Sequence, residues 1–304
     1  MKNAGAGIPF PIPMNVYEVV WNHVIRYQGR AWESKTVTNM VDTSGKLVRT
    51  GGGYFWQEFP YYDENPSDSD AKLYWKVRWF YTTPPRKAGE AGQAFDPINF
   101  YESSRVAYQY LPGQRRTKLA PEIAFDVPTT DCAGNDTWDE QWIFNASMER
   151  YNWKLIGKKE MYVPYNNYRM TYWVKQEELF GPKHFNPDIV RWELHRVWVV
   201  EASLKPGKRH IYKTRRLYID EDSWTAVAGE MYDAYGSFFK IDNVYVTQNY
   251  DFMAPCTVMW SHYNMTNGAY VLSFWPADGG YIREGKVQPE RWWSPSMMSG
   301  LGVR

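Results

Sequence analysis

Residues 192–220 read WELHRVWVVEASLKPGKRHIYKTRRLYID, and this stretch decides the fold class. Trp192 to Leu204 and Arg209 to Asp220 read as two strands of one hairpin, with Lys205-Pro206-Gly207-Lys208 supplying the turn. Tyr218-Ile219 then runs into Asp220-Glu221-Asp222-Ser223, a second tight turn, and Thr225 to Tyr232 should return as the next strand. The same grammar recurs upstream. In Lys72 to Tyr81, Leu73, Trp75, Val77, Trp79 and Tyr81 point one way while Lys72, Lys76 and Arg78 point the other, which predicts one buried and one wet face. Val106, Tyr108 and Tyr110 lead into a Pro112-Gly113 turn, with Arg115 to Lys118 beyond it. Val244 to Phe252 reads as a further strand. Helices are expected to interrupt this pattern at Phe95 to Tyr101 and within Asp131 to Arg150. Near the N-terminus, Pro residues make Ile8 to Pro13 extended. Asn15 with Glu18 three residues on then opens an amphipathic helix through Val16, Val19, Val20, His23, Val24 and Tyr27, ending near Gly29. From Leu272 onward the periodicity is lost. Strands joined by short turns, with few helices, make the chain mainly β (α+β), built on a large antiparallel sheet.

Composition bounds the partners. The chain has 304 residues, 35 basic against 34 acidic, for a net charge of +1. That balance excludes the electrostatic footprint of a dedicated nucleic-acid binder. No apolar run approaches the roughly 18 residues of a membrane-spanning helix. The outlier is aromatic content, with 16 Trp, 24 Tyr and 14 Phe. Such residues suit both an aromatic-rich β core and a wet apolar pocket. A chain this long buries about three quarters of its unfolded surface, so its core needs no staples. Cys132 and Cys256 are the 2 cysteines. They form no CxxC and no Cys/His cluster, so no metal site is expected. A disulfide and two separate thiols both remain open. With no low-complexity linker and no fixed-period repeat, residues 1–304 read as a single domain.

Candidate chemistry is thin. Paired acids could run glycoside hydrolysis, and Asp139/Glu140 and Asp220/Glu221/Asp222 are the pairs present. The second group sits where a hairpin turn favours Asp for local hydrogen bonds, and Asp139/Glu140 is placed to cap a short helix. The histidines His23, His184, His195, His210 and His262 show no helical metal spacing; His23, on the apolar side of the helix, reads as a satisfied core residue. Gly51-Gly52-Gly53 lacks the Lys-Ser/Thr sequel of a phosphate loop. Basic groups gather at Arg115/Arg116/Lys118, Lys154/Lys158/Lys159 and Lys208/Arg209/Lys213/Arg215/Arg216. They read as the wet side of an antiparallel sheet, with an oligonucleotide platform or a contact to anionic head groups as alternatives. No catalytic residue and no cofactor is assigned.

Four stretches carry a family resemblance: YLPGQRR at Tyr110 to Arg116, GKKE at Gly157 to Glu160, VPYN at Val163 to Asn166 and DEDSW at Asp220 to Trp224. With them the chain resembles the bacterial envelope family called domain of unknown function 1329, itself similar to LolA/LolB-type outer-membrane lipoprotein-sorting proteins. The resemblance implies an incomplete β-barrel, a curved antiparallel sheet with helices on its concave side and acyl chains between them. Trp75, Val77, Trp79, Tyr108, Tyr110, Trp198, Val200 and Ala202 would then be core or cavity lining. It also implies the periplasm or the periplasmic face of the outer membrane, with a signal peptide and a further N-terminal segment preceding Ile8 to Pro13 and that segment lying over the cavity. Family genes accompany a resistance-nodulation-division exporter and an outer-membrane protein. The expected function is thus a carrier or accessory protein binding a lipid or hydrophobic small molecule, with peripheral membrane contact and no nucleic acid. A non-enzymatic structural adaptor in an envelope complex is the alternative, and a hydrolase stands third.

Overall fold

The computed structural model describes residues 7–123, 125–277 and 279–301. Asn15 opens α1 (Val16–Ile25): its side-chain oxygen accepts from the Glu18 amide at 3.1 Å, and Glu18 accepts from the Met14 amide at 2.5 Å. The Asn15 bond serves a donor that the first turn of a helix leaves without an intrahelical partner, and the Glu18 bond ties Met14, just before the cap, to the helix start. Val19, Val20, Val24 and Ile25 are buried in the core, each contributing roughly 1.5–3 kcal/mol relative to exposure. The helix ends at Ile25, earlier than expected, because Arg26 is already extended and Tyr27 lies beyond it; the chain then turns at Gly29, at φ +86°, where a Cβ would meet the Phe252 ring at 2.7 Å.

The strands follow as β1 (Ala31–Val41), β2 (Leu47–Glu58), β3 (Leu73–Tyr81), β4 (Ala91–Pro97), β5 (Val106–Leu111), β6 (Arg116–Leu119), β7 (Tyr151–Pro164) and β8 (Trp192–Leu204). After them come β9 (Thr214–Asp220), β10 (Ala226–Tyr232), β11 (Phe238–Val244), β12 (Thr247–Asn249), β13 (Ala254–Cys256), β14 (Trp260–Asn264), β15 (Tyr270–Trp275) and β16 (Tyr281–Glu284). One 14-stranded antiparallel sheet runs β6-β5-β4-β3-β2-β1-β15-β14-β11-β10-β9-β8-β7, with β16 on β1 and β12-β13 as a separate ribbon. Two meanders, β1–β6 and β7–β11, are joined through β15 and β14: β1 pairs with β15 through Val37–Val41, β15 with β14, and β14 with β11, while β16 adds to β1 through Trp32–Lys35. Short helical turns include α2 (Gln176–Leu179) and α3 (Met298–Leu301).

Strand alternation assigns side chains to two faces. On the helix face, Trp75, Val77, Trp79, Val200 and Leu217 pack with α1 and with Trp142, Ile143 and Phe144 of the connection between β6 and β7. On the opposite face, Tyr245, Tyr270, Leu272 and Trp275 are covered by Met170, Leu179, Phe185 and Ile189. Farther along that face Phe80, Tyr108 and Tyr110 pack on Met298.

Several expectations are corrected by this arrangement. The predicted wet face of Lys72 to Tyr81 is covered: Lys76 and Arg78 are buried beneath the C-terminal segment. Lys76 pairs with Glu58 at 2.9 Å and Asp70 at 3.0 Å, and the Arg78 guanidinium lies 4.1 Å from the Trp292 ring centre. A tail rich in Trp thus serves as a lid through cation–π contact. The second strand of the opening hairpin starts at Thr214 rather than Arg209, because His210 and Tyr212 turn inward to the acids described below. Val244 to Phe252 is the end of β11 followed by the short β12, the long strand lying upstream at Phe238–Val244. Asp131 to Arg150 holds turns, an isolated β-bridge from Thr137 to Pro128, and the 3-10 turns Gln141–Ile143 and Met148–Arg150. Phe95 to Tyr101 finishes β4 and turns.

Candidate functional site

The connection between β6 and β7 enters the helix face carrying acids, and the strands meet it with cations. Asp139 accepts from Arg215 Nη1 at 2.7 Å and Thr137 Oγ1 at 2.6 Å, with His210 Nε2 3.2 Å away. Glu140 accepts from the Tyr212 hydroxyl at 2.8 Å and pairs with the Lys240 ammonium. Arg215 also donates to the Ile143 carbonyl at 2.8 Å, and Lys240 to the Asn135 carbonyl at 2.9 Å. Arg105, just ahead of β5, clamps Asp96 of β4 bidentately at 2.6 and 2.7 Å and reaches the same connection by donating to the Trp138 carbonyl at 3.3 Å. Asp139, Glu140, Arg215 and Lys240 are all fully enclosed. Burial raises a carboxyl, but Arg215 and His210 outweigh it and hold Asp139 well below the usual range; Lys240 and His262 bring Glu140 down to about 2. Charges this deep persist only when paired and hydrogen-bonded.

The backbone is bent to fit. Trp142 and Ile143 both adopt left-handed conformations, φ +52° and +73°, at a cost of about 1–3 kcal/mol each. Gly229 of β10 makes room: a Cβ there would meet Ile143 Cγ2 at 2.6 Å. Asp139/Glu140 therefore cap no helix; they anchor a plug, and they offer no open cleft for paired-acid hydrolysis.

That plug decides what space remains on the helix face. Trp75, Val77 and Trp79 border a cavity of about 30 Å³ together with Trp142, Asp131 and Asp136. A second, beside α1, measures about 20 Å³. Each has room for about one water and none for an acyl chain. Trp198, Val200 and Ala202 share this face as packed core, Trp198 stacking on Trp224 at 6.2 Å. Tyr108 and Tyr110 do not share it; they lie on the opposite face against Met298.

An open apolar groove lies on that opposite face instead. It has a volume of about 500 Å³ and runs between residues 183–192 and strands β11 and β14. Phe185, Val190, Trp192, Ile241, Tyr245 and Tyr263 line it, and the exposed Lys183 and His184 stand at its edge. Both volume and lining fall in the range of small-molecule sites. Another groove of about 520 Å³, beside the C-terminal segment, mixes the charged Asp70, Lys76, Glu290 and Arg291 with the apolar Leu73, Phe95 and Trp293. None of the apolar groove's residues was singled out in the sequence as ligand-binding. They come from three separated segments, and the alternation in β11 and β14 alone would have placed Ile241 and Tyr263 on one face.

The remaining candidates fall into structural places. His23 accepts at Nδ1 from the Ala226 amide (3.0 Å), so Nε2 carries the proton and donates to the Phe144 carbonyl (3.2 Å). Burial, with Arg26 beside it, lowers its pKa to about 3, so it is neutral. Asp220 is buried and accepts from the Ser223 amide at 2.9 Å and from His195 at 2.8 Å, while Asp222 is exposed. Glu221 binds Lys158 and Arg196. The family stretches at 157–160, 163–166 and 220–224 thus converge around His195, whose ring lies 4.3 Å from that of Tyr165. Arg215 leaves the expected wet basic face for the interior, whereas Arg216 stays half-exposed with Glu201 and Glu230. Cys132 and Cys256 are both buried and free. Gly51-Gly52-Gly53 lies within β2.

Comparison with known proteins gives a consistent picture. The family described as "Protein of unknown function (DUF1329)" matches residues 1–298. The protein PA3922 of Pseudomonas aeruginosa is 38% identical over 279 residues, 89% of this chain, and the chain spans 60% of that relative's length. A DUF1329 family protein from Desulfovibrio piger superposes with a TM-score of 0.60 at 11% identity, covering 89% of this chain and 92% of its own. A chain described as an outer membrane lipoprotein-sorting protein domain from Vibrio parahaemolyticus gives 0.57 at 13%, covering 88% and 91%. The LolA superfamily protein NE2245 from Nitrosomonas europaea gives 0.51 at 10%, covering 93% and 98%. At these identities the likeness is one of fold: a LolA-like, mainly β architecture.

Proposed function

The chain belongs to the DUF1329 family, and from that premise we propose that it is a periplasmic carrier or accessory protein that binds a lipid or hydrophobic small molecule. The observation that carries this reading is the apolar groove of about 500 Å³ between residues 183–192 and strands β11 and β14. Its aromatic floor offers area rather than hydrogen bonds, which suits an acyl chain or flat hydrophobic compound. Each buried methylene contributes about 0.8 kcal/mol. Lys183 at the edge offers a cation for a phosphate or carboxylate head. The expected cargo space moves from the helix face to the opposite face, because the chain's own plug fills the former.

The whole chain is read as a single half-barrel domain, supported by the pairing of β1 with both β15 and β16. Binding is non-enzymatic in this reading, and delivery to or from an exporter and an outer-membrane partner fits the family's envelope setting. The test is mass spectrometry of organic extracts from protein purified without detergent, beside Val190→Glu handled identically. A lipid or hydrophobic metabolite present with the unaltered chain and lost with the variant supports the reading. A blank from both, repeated after incubation with envelope lipids, overturns it. A second reading, a structural adaptor in an envelope complex, is favoured by the filled helix face, and that blank result would leave it ahead.

A further inference from the structure

Beside the acid-cation plug, a mixed group of side chains has a different composition. Cys132 Sγ, an Asp136 carboxylate oxygen and a His262 ring nitrogen lie within 4.8 Å of one another, all buried. His262 Nδ1 is held by Asp242 Oδ1 at 2.8 Å. That turns Nε2 toward Asp136 Oδ2, 3.4 Å away, where it makes no hydrogen bond. A direct charge-assisted N–H to carboxylate bond would be shorter, about 2.7–2.9 Å. Two ligands of one tetrahedral zinc ion, each roughly 2.0–2.2 Å from it, stand about 3.3–3.6 Å apart. The other Asp136 oxygen accepts from Thr129, leaving Oδ2 for another partner.

We propose that Cys132, Asp136 and His262 are the protein ligands of a zinc-type divalent metal site, with Asp242 behind His262 fixing its orientation. A carboxylate on the far ring nitrogen is the arrangement that metal-binding histidines use to set tautomer and angle. The cavity of about 30 Å³ bordered by Asp136, Asp131 and Thr129 leaves room for a water as fourth ligand. Ser273 Oγ, 3.0 Å from Cys132 Sγ, can donate to the sulfur once it is a thiolate. Binding releases to solvent the thiol proton and any proton on His262 Nε2, and forms metal–sulfur, metal–nitrogen and metal–oxygen bonds without redox change. The neighbouring group Glu140, Asp242 and His262 is also within 4.8 Å, but its cation is already supplied by Lys240. The metal would pin residues 132–136 of the plug to β14, making the closure of the helix face dependent on the ion. Sequence spacing hides such a site, because its ligands sit at 132, 136 and 262.

The test uses the untagged full chain, stripped with chelator and titrated with cobalt(II). The expected result is one equivalent bound with a thiolate-to-cobalt charge-transfer band. Cys132→Ser should lose the band and weaken binding at least about tenfold, Asp242→Asn should weaken it about 10–100-fold, and Cys256→Ser should change neither. If Cys132→Ser does not fold, retention of the band in Cys256→Ser assigns it to Cys132, since the chain has 2 cysteines. Uptake below about 0.1 equivalent by the folded, unaltered chain overturns the proposal, as does a band that survives Cys132→Ser or vanishes with Cys256→Ser.

Discussion

Arg215 and Arg216 are neighbours in β9 and occupy two different solvents. Arg215 points to the helix face and is fully enclosed, bonded to Asp139 and the Ile143 carbonyl. Arg216 points the other way and shares water with Glu201 and Glu230. The same side chain is thus a rivet on one face and a surface charge on the other. The contrast extends to the whole sheet. The helix face is filled by charges and aromatics from the β6–β7 connection, with cavities of about 30 and 20 Å³, whereas the opposite face carries an open groove of about 500 Å³. A sheet with a helix packed on one face can therefore close that face with its own chain and leave an apolar groove on the other.

The sharpest way to break this comparison is to remove the rivet. Arg215→Met leaves Asp139 buried without its main partner, and breaking such a pair costs about 3–5 kcal/mol. Urea unfolding should show that loss as a lower midpoint. A change below about 1 kcal/mol would mean the plug is not held by this pair. Arg215→Met with Asp139→Leu should recover much of the loss, because removing both charges removes the unpaired one.

How far this arrangement could be read in advance differs by residue. Local chemistry was legible: the Asn15 cap, the Lys205-Pro206-Gly207-Lys208 turn and β8 at Trp192–Leu204 all stand where the pattern placed them. What alternation could not show is what lies over a face. Lys76 and Arg78 look like surface residues until Trp292 and Trp293, more than two hundred positions later, cover them. Asp139 and Glu140 were visible as a pair, yet their partners Arg215 and Lys240 are identified only by the packing of distant strands. Tyr108 and Tyr110 obey the strand period and still end on the unexpected face, because period 2 fixes which residues share a side and not which side is inner.

Two histidines report the same contrast in pH. On the helix face, burial and Arg26 hold His23 at about 3, below its ordinary 6.5. The unfolded chain therefore binds the extra proton between these values, and stability from this site is present above pH 6.5 and lost as pH falls toward 3. The slope is up to about 1.4 kcal/mol per pH unit. His195, partly exposed near the start of β8, shifts the other way: burial lowers it, but Asp220 and Glu193 outweigh that and raise it. Its contribution is present below the unfolded pKa and fades as pH rises through the folded one. Urea midpoints across acidic pH should flatten in His23→Gln. In His195→Gln the acid limb should stay, and the loss of stability should appear at and below neutral pH. Identical profiles for both variants would sink the assignment.

Arg216→Met is the surface counterpart of the first test. Its pairs with Glu201 and Glu230 are screened by water, so the expected loss is about 0–1 kcal/mol. A loss as large as that of Arg215→Met would erase the distinction between the two faces.

The smallest stability effect belongs to the groove, and it is the most telling for function. Trp192 lines the groove yet remains 47% exposed, so the fold gains little by burying it. Trp192→Ala should change stability by about 0.5 kcal/mol or less, as exposed substitutions generally do. A hydrophobic fluorescent probe seated in the groove would lose a large aromatic contact, and truncating such an anchor costs binding about 1–2 kcal/mol or more. Affinity should thus fall roughly tenfold while the urea midpoint stays put. The reverse outcome, a lower midpoint with unchanged probe binding, would make Trp192 a packing residue and send the search for the ligand back to the plugged face.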